Sequence, residues 1–259
     1  MKERIITGAC LLAVALPIVY FGGIWITGLL FLAAIGATWE MVNMRDKVQK
    51  VPVWVKAITF IGVLVMIFVP GFSQAIQFSV LAFSPLVIAG YVRTRKGESE
   101  LSFYVLTIFY IGMSFRALLS IRNHSLALFI FLIVTVILTD SFAYFGGRLL
   151  GKKKLAPKIS PNKTVEGAIF GWGVGTCFAV GFGIWQGLFS ETWILIVLAV
   201  GLPIFGQIGD LIASALKRQH DIKDYGKLFP GHGGVMDRVD SQLLAAVLIY
   251  LMGWCCLGF

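Results

Sequence analysis

"SLALFIFLIVTVILTDSFAYFGG", residues 125–147, is apolar almost throughout, and its one charged residue, Asp140, sits towards its end. Coiled as a helix at 1.5 Å per residue, the run is about 35 Å long, enough to cross a hydrocarbon core of about 30 Å. Runs of the same kind recur near residues 5–21, 23–42, 54–70, 74–92, 101–120, 165–187, 192–213 and 241–258. Of the 259 residues, 58% are hydrophobic and only 14% charged, a balance that excludes a soluble domain of this size. The pattern predicts an all-α polytopic membrane protein of about nine transmembrane helices, with a tight hairpin at Gly22-Gly23 between the first two. The opening Met-Lys-Glu-Arg resembles the start of a signal peptide. It lacks a clear small-residue cleavage site and leads directly into a second span, so it is read as the first helix. The expected organisation is a single membrane domain over 1–259, with spans 1–5 in residues 1–120 and spans 6–9, with the polar loops, in 121–259.

A formal net charge of +9 would suggest nucleic acid in a soluble protein, but topology accounts for it here. With nine spans, the amino terminus and the loops at 45–50, 93–96, 148–163 and 217–238 share one side of the membrane. Counting Lys56 at the foot of the third span, twenty of the 22 Lys and Arg lie on that side, leaving only Arg116 and Arg122. Basic loops stay in the cytoplasm, so the amino terminus is expected inside and the carboxyl terminus outside, with no nucleic-acid partner. Trp25, Trp39 and Trp54 read as interface anchors. Arg116, within a span, either faces a partner or snorkels to the surface. Cys10, Cys177, Cys255 and Cys256 have no metal-ligand spacing and read as core or lipid-facing residues.

The second half carries its acids where lipid makes them costly. Asp140, Glu166, Asp210, Asp237 and Asp240 gather towards the cytoplasmic ends of spans 6 to 9. Asp210, Ser214 and Lys217, at i, i+4 and i+7, share one face of the eighth span, as Asp140, Tyr144 and Gly147 do on the sixth. Gly167, Gly171 and Gly175 form a small-residue stripe for close packing. In "GGRLLGKKKLAPKISPNKTVEG", residues 146–167, two prolines stiffen a basic loop, and Thr164 reads as the N-cap of a helix with Glu166 in its first turn. Taken alone, its Lys-Lys-Lys run is as well explained by a topology signal or attraction to anionic headgroups as by a functional site, although the Ser-Pro-Asn-Lys-Thr segment is more than topology needs.

The last basic loop holds Pro230-Gly231-His232-Gly233-Gly234, a backbone able to turn tightly and approach a ligand. Lys217, Arg218, Lys223, Lys227 and Arg238 can offset phosphate charge. Asp237 and Asp240 lie near each other on one helix face, and Asp240 also reads as a simple N-cap. With Asp210 expected to approach Asp237, the set describes a Mg²⁺ site that holds polyphosphate. The chemistry that fits is phosphoryl or nucleotidyl transfer, in which positioning and charge neutralisation do most of the work. An ion-coupled transporter would also bury acids in helices. Its usual internal repeats are absent, and the polar residues cluster at one face instead of the midplane.

"SALKRQHDIKDYGKLFPGHGGVMDRVD", Ser214 to Asp240, resembles without departure the signature of the phosphatidate cytidylyltransferase family. "DSFAYFGGRLLGKKKLAPKISPNKTVEG", residues 140–167, and Gly209-Asp210 resemble the same family. The resemblance implies a multi-pass protein of a bacterial cytoplasmic membrane with its site on the cytoplasmic face. It implies CTP and phosphatidic acid, a membrane lipid, as substrates and a homodimer as the assembly. Mg²⁺ would be held by Asp210 and Asp237, with a monovalent cation such as K⁺ at the same centre, and Ser214 would contact metal or phosphate. Lys217, Arg218, Lys223 and Arg238 would neutralise the triphosphate, and His232, Gly233 and Gly234 would shape the phosphate turn. Lys163, Thr164 and Glu166 would complete the site, and Asp140, Asp224 and Asp240 would stand among the substrate-binding residues. Dolichol kinase-like and archaeal CDP-archaeol enzymes share parts of this loop, so the lipid tail is not read from it.

Overall fold

The computed structural model describes residues 2–47, 50–68, 100–229, 231 and 233–253. In chain order these form α1 (Lys2–Phe21), α2 (Gly23–Asp46), α3 (Val53–Phe68), α4 (Glu100–His124) and α5 (Leu126–Leu150). A ribbon of β1 (Lys154–Ala156) and β2 (Ser160–Thr164) follows, then α6 (Val165–Gln186), α7 (Thr192–Gln219) and α8 (Met236–Met252). Among the described residues five helices are long and apolar enough to cross a membrane: Gly23–Asp46, Phe103–His124, Leu126–Leu150, Val165–Gln186 and Thr192–Gln219. Gly8–Phe21 and Val53–Phe68 are shorter apolar helices. The chain is therefore a polytopic, mainly helical membrane protein. The expected span at 74–92, the loop at 93–96, His232, Cys255 and Cys256 lie outside the described residues.

Two local differences from the sequence reading have clear causes. The ribbon stands where only a stiff loop was expected, because Lys154–Ala156 and Ser160–Thr164 carry no alternating apolar pattern to announce strands. The last helix starts at Met236, ahead of its apolar run, so Asp240 lies one turn inside it and is not its N-cap.

The chain divides into two compact units, Met1–Leu119 with Leu216–Val239, and Ser120–Ala215 with Asp240–Phe259. In the first, α1 and α2 join at Gly22, whose φ of 67° and ψ of −145° suit glycine, and Gly23 follows at φ 52°. Phe103, Phe115, Ile111, Ile67 and Met41 fill this unit's core. Arg116, still in this unit, donates from Nη1 to the carbonyl oxygen of Ile67 at 2.9 Å, answering one of the unpaired carbonyls at the end of α3. That contact favours a structural use of the charge. Trp25, Trp39 and Trp54 are all more than half exposed, as anchors against lipid require.

In the second unit the small-residue stripe of α6 is the main seam. Gly167, Gly171, Gly175, Ala179 and Gly183 are its buried residues, spaced by four. A Cβ on Gly167 would come within 2.5 Å of the carbonyl oxygen of Ala143 and 2.7 Å of the Cα of Gly147. Helix α6 thus lies backbone to backbone on α5, as small-xxx-small packing allows. Gln207 on α7 donates to the carbonyl oxygen of Ala168 at 3.1 Å, and a Cβ at Gly209 would meet the carbonyl oxygen of Asp240 at 2.7 Å. Gly171→Leu is expected to part α5 from α6. Overpacking costs about 1–3 kcal/mol even where side chains can adjust, and backbone cannot. A thermal melt in detergent checks this, with a fall of several degrees in Tm expected and an unchanged Tm counting against it.

Candidate active site

In each unit a lysine–aspartate pair stands among the polar residues that the sequence singles out. In the second unit, Asp210 of α7 pairs with Nζ of Lys163, delivered by β2. Ser214, one turn on, donates its hydroxyl to Oδ1 of Asp210 at 3.2 Å, so the expected stripe forms. Asp140 of α5 is hydrogen-bonded by Ser241 of α8 and lies within electrostatic reach of Asp210 and Lys163. Tyr144 does not join it: the ring is 65% exposed, since i and i+4 only roughly share a direction on so broad a face. Asp240 is buried, and its Oδ1 accepts the amide of Ser241 at 2.9 Å.

The ribbon that delivers Lys163 is held at its base. Thr164 Oγ1 accepts the amide of Gly167 at 3.2 Å, the N-cap the sequence announces. Glu166, in the first turn of α6, accepts the amides of Lys152 at 3.0 Å and Lys153 at 3.1 Å. Its carboxylate is thus spent on the chain entering the ribbon, a positioning use. Val165 donates to the carbonyl oxygen of Lys153 at 2.9 Å and closes the ladder.

In the first unit, Asp237 opens α8 with a side chain only 5% exposed. Its Oδ1 accepts from Nζ of Lys217 at 2.8 Å, and its Oδ2 accepts the amides of Tyr225 at 2.8 Å and Gly234 at 3.0 Å. The ammonium of Lys217 also stands 5.1 Å from the centre of the Tyr225 ring. Phe229 and Gly233 bridge across the turn, with Gly233 at φ 83°. Arg218, Lys223, Asp224, Lys227 and Arg238 are exposed around this centre, and Arg218 donates to the carbonyl oxygen of Ile222 at 2.9 Å. The amides of Tyr225 and of Gly234, the latter in the turn the sequence reads as approaching a ligand, are answered here by an internal carboxylate.

The chain matches the cytidylyltransferase family over residues 2–256. It is 34% identical to the phosphatidate cytidylyltransferase of Bacillus subtilis over 269 aligned positions, covering 97% of each chain. It is 32% identical to the phosphatidate cytidylyltransferase of Staphylococcus epidermidis, covering 97% of this chain and 98% of that one. The Staphylococcus aureus protein of the same name is also 32% identical. The chain belongs to the cytidylyltransferase family. The likeness runs through the first half as well, beyond the motifs of the last 120 residues.

The donor set of this cytidylyltransferase suits a hard cation. Asp210 with Ser214 in the second unit, and Asp237 in the first, each offer oxygen only, the ligand chemistry of Mg²⁺, which is commonly held by one or two carboxylates and completed by water and phosphate. Among the described residues no group of three or more His, Cys, Asp or Glu is placed to enclose a metal ion, so substrate oxygens would be needed.

Sequence reasoning missed Glu40, Tyr225 and Ser241. Glu40 sits in the run 23–42, and the rule that singled out Asp140 applies to it equally, since a lone carboxylate in an apolar run is costly.

His220, just past α7, is buried with Nδ1 against the carbonyl oxygen of Leu216 at 3.0 Å and Nε2 without a partner among the described residues. Burial holds its pKa below the usual 6.5, and the Arg45 charge adds to this against opposing effects of the Leu216 carbonyl and Asp221. The unfolded chain therefore takes up the proton first. The stability from neutral His220 is complete above about pH 6.5 and is lost as pH falls through the lower folded value. Melting curves between pH 7.5 and 5.5 should show a falling Tm that flattens in His220→Gln. Equal slopes would rule the histidine out as the cause.

Proposed function

We infer that the protein transfers the cytidylyl group of CTP to phosphatidate. A phosphate oxygen of the lipid attacks the α-phosphorus of CTP, the bond from that phosphorus to the bridging oxygen breaks, and pyrophosphate leaves with the electron pair. The products are CDP-diacylglycerol and pyrophosphate. What carries the reading is the near-full-length likeness to the Bacillus subtilis phosphatidate cytidylyltransferase. The lipid phosphate is already ionised at neutral pH, so no general base is required.

In this reading Asp210, Asp237 and Ser214 hold Mg²⁺, which when bound neutralises phosphate charge and orients the triphosphate. Lys217 and Lys163 stand beside those carboxylates to receive phosphate oxygens, and Arg218, Lys223 and Arg238 draw the nucleotide from water. Transfer of this kind is mostly positioning and charge stabilisation, which suits the absence of a nucleophile from the scheme. The one-sided distribution of Lys and Arg supports a cytoplasmic site in a bacterial membrane. A monovalent cation such as K⁺ at the same centre and assembly as a homodimer belong to the same proposal.

The test uses purified protein in detergent with phosphatidic acid, Mg²⁺ and CTP labelled in its α-phosphate. Label is expected in the lipid phase, with EDTA abolishing the transfer. Label that reaches only a polyprenol or an archaeal-type lipid would replace the acceptor, and label that stays in water with every lipid would overturn the reaction.

A further inference from the structure

Within the first unit, Glu40 is buried, 6% exposed, in α2. Its two oxygens each take one backbone amide from the turn into α8: Oε1 accepts from Val235 at 2.9 Å and Oε2 from Met236 at 2.8 Å. These amides open a helix, where the first N–H groups lack intrahelical partners and the dipole favours an anion. Among the described residues no ion pair involves Glu40. Asp237 is near enough to repel it electrostatically, so two like charges are gathered around one short segment.

The segment is shaped around that carboxylate. A Cβ on Gly226 would lie 2.8 Å from Cδ of Glu40, and one on Gly234 would overlap the carboxylate. One turn earlier in α2, a Cβ on Gly36 would come 2.8 Å from Cγ2 of Val235. Two glycines of the signature are thus required by a side chain nearly two hundred residues away in sequence, and not only by an approaching ligand. Gly234, fixed in this way, donates to Asp237, which in turn holds Lys217.

We propose that Glu40 is a positioning residue for cytidylyl transfer: it clamps Gly234 to Met236 and so aims Asp237 and Lys217. The proposal rests on phosphatidate cytidylyl transfer being the activity. In Glu40→Gln one amide keeps an acceptor and the other meets an NH₂ group, so the turn loosens while side-chain volume is kept. The expected result is a fall in kcat of tenfold to a hundredfold with KM for phosphatidate unchanged. Tryptic cleavage after Lys227 is expected to quicken, with Tm within a few degrees of the parent. Gly226→Ala presses the same contact from the loop side and carries the same expectation, which keeps the test open if Glu40→Gln does not fold. Gly112→Ala, where a Cβ would press on Met66 Cβ at 2.7 Å away from the turn, controls for general destabilisation. Parental kcat in either turn variant overturns the proposal, as does an equal loss in Gly112→Ala at equal Tm. A parent enzyme that makes no CDP-diacylglycerol fails the reaction itself, whereas an active parent with an indifferent Glu40→Gln fails the proposal alone.

Discussion

Asp237→Asn is expected to lower turnover by about three orders of magnitude, the upper end of the range seen on removing one preorganised electrostatic group. Both oxygens of this carboxylate accept, from the Lys217 ammonium on one side and from the Tyr225 and Gly234 amides on the other. An asparagine must turn its NH₂ towards one of these sets. Facing the amides, it sets donor against two donors, and each buried unsatisfied group costs about 1–3 kcal/mol. Facing Lys217, it sets a donor against a mostly buried ammonium, and in either orientation that ammonium loses the negative charge of Asp237, which is costlier still. Either choice also removes an oxygen proposed to hold Mg²⁺. Initial rates of labelled CDP-diacylglycerol formation, measured across a range of Mg²⁺, check the expectation. Parental rates at every concentration would remove Asp237 from the site.

Asp210→Asn is expected to cost about two to three orders of magnitude in kcat, and its partner shows how. The carboxylate joins Lys163 of the ribbon to Ser214 of its own helix, so its loss frees both at once. Groups that act as a unit are not additive when removed. Lys163→Met alone should therefore be strongly impaired, and Lys163→Met with Asp210→Asn should be little worse than Asp210→Asn by itself. Multiplying losses in the double variant would mean that the two residues serve the reaction separately.

Much of this centre was legible from local spacing. Asp210 and Ser214 meet because four residues make one helical turn, and Thr164 caps α6 because its hydroxyl needs to reach only three residues ahead. The α6 stripe was legible for the same reason. What escaped was long-range. Glu40 reaches amides 195 and 196 positions away, and nothing in the run around it marks such a partner. That Gly226 and Gly234 also make room for Glu40 escaped as well, since a sequence shows that space is required but not what fills it. The ribbon escaped too, because its ladder is set by Glu166 and Val165 gripping the entering chain and not by alternating side chains.

That ribbon also divides the chain into parts that evolution can lengthen and parts it cannot. Lys163 and Thr164 are consecutive, and successive strand residues point opposite ways, so one reaches Asp210 while the other starts α6. One inserted residue between Ser160 and Thr164 would exchange these directions, sending the charge away from its carboxylate or the hydroxyl away from its helix. The turn at 157–159 has no such double duty. Variation in length can collect there as a harmless tongue, while the few residues after it stay fixed in number.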